Sequence, residues 1–189
     1  MKIAFVHFGR ENLGIEYISS VLKKSGHQTY LAYDPGLFSI EDNVFYAPFL
    51  EKIFKRKKKL IQELEKIEPD LIAFSVYTST YTWSCDIAKS LKKRLKAKTV
   101  FGGIHSTLVP EIVINNDFVD FVIQGEGEYA LLELTETLNS KSGNFQIPGL
   151  WYKKESNIIS NPLRQPIQNL DSLPLPDKGL FERFINYKR

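Results

Sequence analysis

The sequence predicts an α/β domain on a doubly wound, five-stranded parallel sheet, and three observations lead there. Five short apolar runs, at residues 2–7, 28–33, 71–76, 99–101 and 118–123, alternate with amphipathic stretches of helical period. The run at 71–76 is the most hydrophobic, as suits a central strand covered on both faces. The chain has 189 residues, 43% of them hydrophobic, enough for one packed core with an appendage and too little for two cores. Parallel neighbours require right-handed crossovers, so helices cover both faces of the sheet. The expected strand order is the flavodoxin-like 2-1-3-4-5, which places a ligand at the carboxyl ends of strands one and three, where the winding reverses.

Each element follows in order. After the first strand, Leu13, Tyr17 and Val21 recur at helical spacing, and Gly26 closes that helix. Asp34-Pro35-Gly36 stops the second strand. Residues 37–54 form an aromatic-rich insertion (Phe38, Phe45, Tyr46, Phe49, Phe54), whose rings are ordinary packing material, and a helix then runs through Lys66 to the break at Glu68-Pro69-Asp70. A polar turn follows strand three, then a helix with Trp83, Ile87, Leu91 and Leu95 inward. Gly102-Gly103 ends strand four. A short helix at 110–114, the fifth strand and a helix beginning near Glu126, with Leu131, Leu134 and Leu138 in register, complete the repeats. Beyond Asn139 the composition shifts to Ser, Gly, Asn and Pro. A small hairpin is expected at 149–159 and a proline-rich linker at 161–177, since Pro162, Pro166, Pro174 and Pro176 exclude helix and interior strand. The domain proper is therefore 1–140, with 141–189 as hairpin and linker.

The net charge of +3 conceals an uneven distribution. Residues 52–59 and 89–98 each carry six Lys or Arg and no acid, leaving 13 basic against 22 acidic residues elsewhere. Each run lies on the outer side of an amphipathic helix, so a solvated or docking face is expected and nucleic acid is not. The N-terminus turns polar too early for a secretory signal and no apolar run spans a bilayer, so a cytoplasmic protein without membrane contact is expected. Cys85 is the only cysteine, which excludes an internal disulfide, a thiolate zinc site or a self-contained iron–sulfur cluster. It sits inside an amphipathic helix, where burial outweighs reactivity.

The loops after the strands carry the candidate chemistry. Gly125-Glu126-Gly127-Glu128-Tyr129-Ala130 formally matches the dinucleotide pattern G-x-G-x-x-A. That pattern belongs after a first strand, and two carboxylates in the turn would repel a pyrophosphate at the helix N-terminus. The glutamates suit the helix dipole instead. Gly102 and Gly103 allow a flat ligand to lie against backbone, or make a simple turn. His105 is either a hydrogen-bonded loop residue or a metal ligand, the former being commoner. Ser75, Tyr77, Thr78, Ser79 and Thr80 cluster hydroxyls beside the switch point; some cap the next helix and the rest are free for a neutral polar ligand. No nucleophile–base pair and no metal-ligand spacing emerges among His7, His27, His105 and the carboxylates, so neither catalytic nor metal-binding residues are assigned. Whatever binds brings its own chemistry.

Taken together, Phe101-Gly102-Gly103-Ile104-His105-Ser106-Thr107, then Pro110-Glu111, then Asp120-Phe121-Val122-Ile123-Gln124-Gly125-Glu126-Gly127-Glu128 resemble the N-terminal cobalamin-binding domain of radical S-adenosylmethionine enzymes. Ile147-Pro148-Gly149-Leu150-Trp151-Tyr152, Asn161-Pro162 and Leu170-Asp171-Ser172-Leu173-Pro174-Leu175-Pro176-Asp177 resemble the segment joining that domain to the radical domain. The resemblance implies a cobalamin-binding Rossmann-like fold with the corrin over the carboxyl edge of the sheet and the benzimidazole tail buried between strands one and three. It implies that Gly102, Gly103, Ile104 and His105 pass along the tail, with Gly125, Glu126 and Gly127 as the neighbouring loop. Ser75, Tyr77, Thr78 and Thr80 would bond the nucleotide tail, which needs polar partners once buried. Asn12, Leu13 and Gly14 would border the lower face of the corrin.

Two departures refine what is carried over. The D-x-H-x-x-G motif that supplies an axial histidine in methionine-synthase-type domains is missing, the loop reading His7-Phe8-Gly9-Arg10-Glu11-Asn12, so base-off binding without that histidine is expected. The C-x-x-x-C-x-x-C of the radical domain is also missing, so the 4Fe-4S cluster and S-adenosylmethionine belong to a catalytic domain supplied in cis or in trans, and the chain reads as the front portion of such an enzyme, of methyltransferase or cyclase class. The other readings are a flavodoxin-like interaction domain and a flavin module. A receiver domain would need acidic residues at the ends of strands one and three, where His7-Phe8 and Ser75-Val76-Tyr77 stand.

Overall fold

The computed structural model describes residues 1–36, 56–155 and 157–185. The aromatic-rich stretch at 37–54, and with it Lys52 and Lys55 of the first basic run, lies outside the described residues. Strand β1 (Lys2–Phe8) leads through α1 (Leu13–Lys24) to β2 (Gln28–Asp34), and α2 (Arg56–Ile67) to β3 (Leu71–Ser75). A 3-10 turn (Thr78–Thr80) opens α3 (Tyr81–Lys92). After β4 (Lys98–Gly102) come two short helices, α4 (Ile104–Leu108) and α5 (Pro110–Ile114), then β5 (Phe121–Ile123) and α6 (Glu128–Ser140). The described elements close with β6 (Leu150–Lys154), β7 (Asn157–Ser160), a 3-10 turn (Leu170–Ser172) and α7 (Gly179–Glu182).

The sheet order is β2-β1-β3-β4-β5-β6-β7. The first five strands are parallel, in the order 2-1-3-4-5. The expectation of five strands is corrected to seven: β6 pairs antiparallel with β5, matching Phe121, Val122 and Ile123 to Tyr152, Trp151 and Leu150, and β7 pairs antiparallel with β6. A three-residue β5 would otherwise leave unpaired backbone groups at an open edge, and β6 satisfies them. The fifth strand also starts at Phe121 rather than 118, because Val119 N–H turns back to the Asn116 carbonyl (3.0 Å) while Phe118 and Val119 stay buried. The last long helix starts at Glu128, two residues later than expected. The α4 turn, which holds His105, was not anticipated.

Alternation along the strands divides the core into two layers. Phe5, Leu31, Ala73, Val100 and Ile123 face α1, α6 and α7, while Val6, Ile72, Phe74, Phe101 and Val122 face α2, α3 and α5. Apart from Ala73, each of these buried side chains contributes about 1.5–3 kcal/mol relative to exposure. Leu95 lies past the end of α3 and still packs against the second layer. The proline-rich chain does not leave the domain at once. Gly149 N–H donates to the Pro162 carbonyl (2.7 Å), Arg164 pairs with Glu133 of α6 (2.6 Å), and Asp177 N–H reaches the Glu16 carbonyl of α1 (3.2 Å). Leu180 and Phe181 then bury themselves in the first layer.

Candidate functional site

A cleft of about 380 Å³ opens where β1, β3, β4 and β5 end, on the face covered by α1 and α6. Phe5, Ala73, Val100 and Ile123 of the sheet line it, with Ile15 and Ile18 of α1 and Leu131 of α6. Ala73 is the small residue of this row, and its short side chain leaves depth at the centre of the sheet. A larger groove of about 770 Å³ between α2 and α3, lined by Asp34 at the end of β2 and by Arg56, Lys58, Trp83 and Arg94 among others, lies on the opposite layer.

Two glycines shape the cleft in different ways. Gly103 has φ +88°, and a Cβ there would stand 2.7 Å from Val76 N and 2.9 Å from Val76 O, so no side chain fits. At Gly102 the nearest such neighbour is Ile123 O at 4.0 Å. Gly102 follows Val100 on the same face of β4, so any side chain placed there enters the cleft.

Hydroxyls border this apolar interior. Asn12 accepts from Ile15 N–H through Oδ1 (3.1 Å), capping α1, and its Nδ2 donates to Ser75 Oγ (3.3 Å) and Tyr77 Oη (3.4 Å). Since Asn12 is the donor in both bonds, the protons of Ser75 and Tyr77 are left to donate elsewhere. Gly14, Ile104, Gly125, Glu126 and Gly127 complete the border among the expected site residues.

Leu13, Thr78, Thr80 and His105 share the sheet edge but do not line the cleft. Leu13 is exposed. Thr80 closes the turn on itself, accepting from Tyr77 N–H (3.1 Å) and donating to the Tyr77 carbonyl (3.2 Å). His105 Nδ1 meets Thr78 Oγ1 (3.1 Å) and its ring packs on Tyr81 with centroids 4.3 Å apart. Burial lowers the His105 pKa, so the ring is neutral at physiological pH. His7, at the end of β1, is buried with Nε2 2.7 Å from the Arg10 carbonyl, and burial lowers its pKa too. No group of three or more His, Cys, Asp or Glu that could hold a metal occurs among the described residues. Cys85 is a buried free thiol whose pKa burial raises.

Sequence reasoning did not assign Ile15, Ile18, Ala73, Ile123, Leu131 or Glu128 to the site. The aliphatic residues look like any core positions until the cleft is seen. Glu128 sits at the start of α6, where burial pushes its carboxyl above the usual value and the Glu126 charge adds to the rise, against backbone N–H groups that lower it. Its Oε2 is shielded from solvent and unpartnered among the described residues. A buried oxygen without a partner in a ligand cleft is a place for a ligand's donor or, when protonated, its acceptor.

A doubly wound sheet with an apolar, glycine-bordered cleft at its switch point defines a Rossmann-like domain. Residues 5–135 match the model of the B12 binding domain, and the chain belongs to that family. The uncharacterized methyltransferase PH0819 of Pyrococcus horikoshii is 32% identical over 119 residues, 62% of this chain and 26% of that protein. The anaerobic magnesium-protoporphyrin IX monomethyl ester cyclase of Rubrivivax gelatinosus is 22% identical over 203 residues, covering 96% of this chain and 33% of the cyclase. The cobalamin-dependent S-adenosylmethionine radical enzyme OxsB, solved with aqua-cobalamin bound, shares the fold with a TM-score of 0.72 at 18% identity, over 93% of this chain and 24% of OxsB. The chain thus spans about a quarter to a third of the length of these proteins.

Proposed function

We propose that this chain is the cobalamin-holding module of a radical S-adenosylmethionine enzyme of methyltransferase or cyclase class, the radical domain being supplied in cis or in trans. The observation that carries the reading is the cleft itself: apolar within, bordered by backbone and hydroxyls, and placed at the switch point of a B12-binding fold. Its volume of about 380 Å³ is near the lower end of the roughly 300–1,000 Å³ usual for ligand pockets, which suits the benzimidazole tail with the larger corrin outside over the strand ends. The tail would lie along Phe5, Ala73, Val100 and Ile123, pass the bare backbone of Gly102 and Gly103, and take hydrogen bonds from Ser75 and Tyr77. Glu128 Oε2 would gain its partner there. Bound cobalamin supplies a cobalt centre that carries an alkyl group or an electron, chemistry the side chains of this domain lack.

Base-off binding without a histidine from the β1 loop forms part of the reading. The absence of a histidine ligand is supported by His7, which is buried with its Nε2 held at the Arg10 carbonyl. Residues 1–140 would form the binding unit, and 141–189 the segment that leads toward the radical domain while braced on this one. A single buried Cys85 suits a reducing cytoplasmic setting.

The test is a titration of wild type and Gly102→Leu with hydroxocobalamin, followed by spin-resonance spectra after reduction to the cobalt(II) form. The wild type is expected to bind without nitrogen splitting from the benzimidazole. Gly102→Leu should keep its circular dichroism and lose roughly 10- to 100-fold in affinity, as overfilling a packed site costs about 1–3 kcal/mol. Equal binding by the variant would remove the tail from this cleft.

A further inference from the structure

The proline-rich chain after β7 joins the two walls of the cleft. At the α6 wall, Ile167 N–H donates to Glu126 Oε2 (2.7 Å), and Glu126 lines the cleft. Leu163 lies close by, its Cδ1 3.2 Å from where a Cβ on Gly125 would stand. Asp177 then reaches the α1 wall: its N–H bonds the Glu16 carbonyl (3.2 Å), its carboxylate accepts from Ser19 Oγ (2.6 Å), and Lys23 pairs with it (2.6 Å). Lys178 places one ammonium between Glu11 Oε1 (2.8 Å) and Glu16 Oε2 (2.7 Å). Glu16 is fully buried; burial and the neighbouring Glu11 carboxyl raise its pKa while the Lys178 ammonium counters them, and Glu11 immediately precedes Asn12, the cap that bonds Ser75 and Tyr77. The walls themselves meet where Ile18 Cδ1 of α1 lies 2.8 Å from the place a Cβ on Gly127 would take.

We infer that Asp177 and Lys178 are positioning residues for the cofactor: by clamping the strap to α1 while Ile167 holds its other end on Glu126, they set the gap between α1 and the start of α6 into which the cobalamin tail fits. Neither residue lines the cleft, so they act through Glu16, Glu11 and the α1 cap. The inference rests on the cobalamin reading above. By linkage, a strap that favours the binding-competent gap is itself held more firmly when the gap is filled.

The experiment has two readouts, both well below the melting temperature of each variant. In the first, wild type, Asp177→Asn, Lys178→Met and Lys178→Arg are titrated with hydroxocobalamin. Asp177→Asn and Lys178→Met should bind roughly tenfold more weakly, an ordinary coupling between distinct sites, and Lys178→Arg should retain most of the affinity. Asp177→Asn preserves shape and leaves the Lys178 contacts to Glu11 and Glu16 in place, so it reports even where Lys178→Met fails to fold. In the second, exchange of the Ile167 and Asp177 amides is followed in the wild type with and without saturating hydroxocobalamin, and slowing on binding is expected. Folded variants that melt earlier but bind with wild-type affinity, together with unchanged amide exchange, would reduce the strap to a stabilising element and overturn the inference. A wild type that retains no hydroxocobalamin overturns the functional reading, and this inference with it.

Discussion

Asp120 shows how far a single residue departs from what its sequence position suggests. In the sequence it belongs to the run resembling the family's fifth-strand loop. In the fold it accepts from Thr99 N–H (2.8 Å) and pairs with Lys92 and with Lys98 (3.1 Å), drawing two members of the second basic run onto one carboxylate. Burial alone would raise its pKa, but the hydrogen bonds from Lys92 and Thr99 and the two lysine charges outweigh it and hold the carboxyl below the usual range. A depressed folded pKa means stability present above the unfolded value, about 3.9 for Asp, and lost as pH falls through the folded one. Asp120→Ala should therefore lower unfolding stability by about 1–3 kcal/mol near pH 7, the cost of leaving Thr99 N–H and the lysines unpaired. The gap to wild type should narrow below about pH 4, as denaturant melts across pH would show. Charge counting reveals the basic run but not its partner, because the acid lies 22 residues beyond Lys98. Glu128 is a similar case: its carboxylate was visible in the sequence, and its shielded oxygen was not.

Among elements, the five parallel strands and their helices were legible because burial on both faces writes continuous apolar runs, and helices write a 3.6 period. The joining of β6 to β5 was not legible, since an antiparallel edge pairing is set by which strand edge remains open, a property of the finished sheet. Gly149 marks that junction. It has φ +81°, a Cβ there would stand 2.6 Å from the Gln124 carbonyl, and its own carbonyl accepts from Gln124 N–H (2.8 Å). Gly149→Ala is expected to cost about 1–3 kcal/mol and to speed amide exchange in β6 and β7 more than in β1, β3 and β4. Uniform acceleration across the sheet would show that the seven strands open as one unit. The strap is the other element hidden from sequence. Its prolines announce an extended chain, but the acceptors that fix it, Glu126 and Glu16, lie 41 and more residues away.

For the whole molecule, the opening charge asymmetry takes on a narrower meaning. Arg56 pairs with Asp34 (3.3 Å) and Arg94 with Glu65 (3.0 Å), and Lys92 and Lys98 share Asp120, so part of each basic run is neutralised on the domain's own surface. The exposed Arg94–Glu65 pair contributes only about 0–1 kcal/mol, so it shapes the surface field more than the stability. One end of the sheet carries a cleft, small residues and unused hydroxyl donors, and the same end is clasped by the proline-rich chain. The cobalamin reading depends on that end alone. Its most direct test is to mix the purified chain with a small excess of hydroxocobalamin, desalt it, and compare corrinoid absorbance with protein concentration. Retention at close to one corrinoid per chain is the predicted result, and a colourless protein fraction would contradict it.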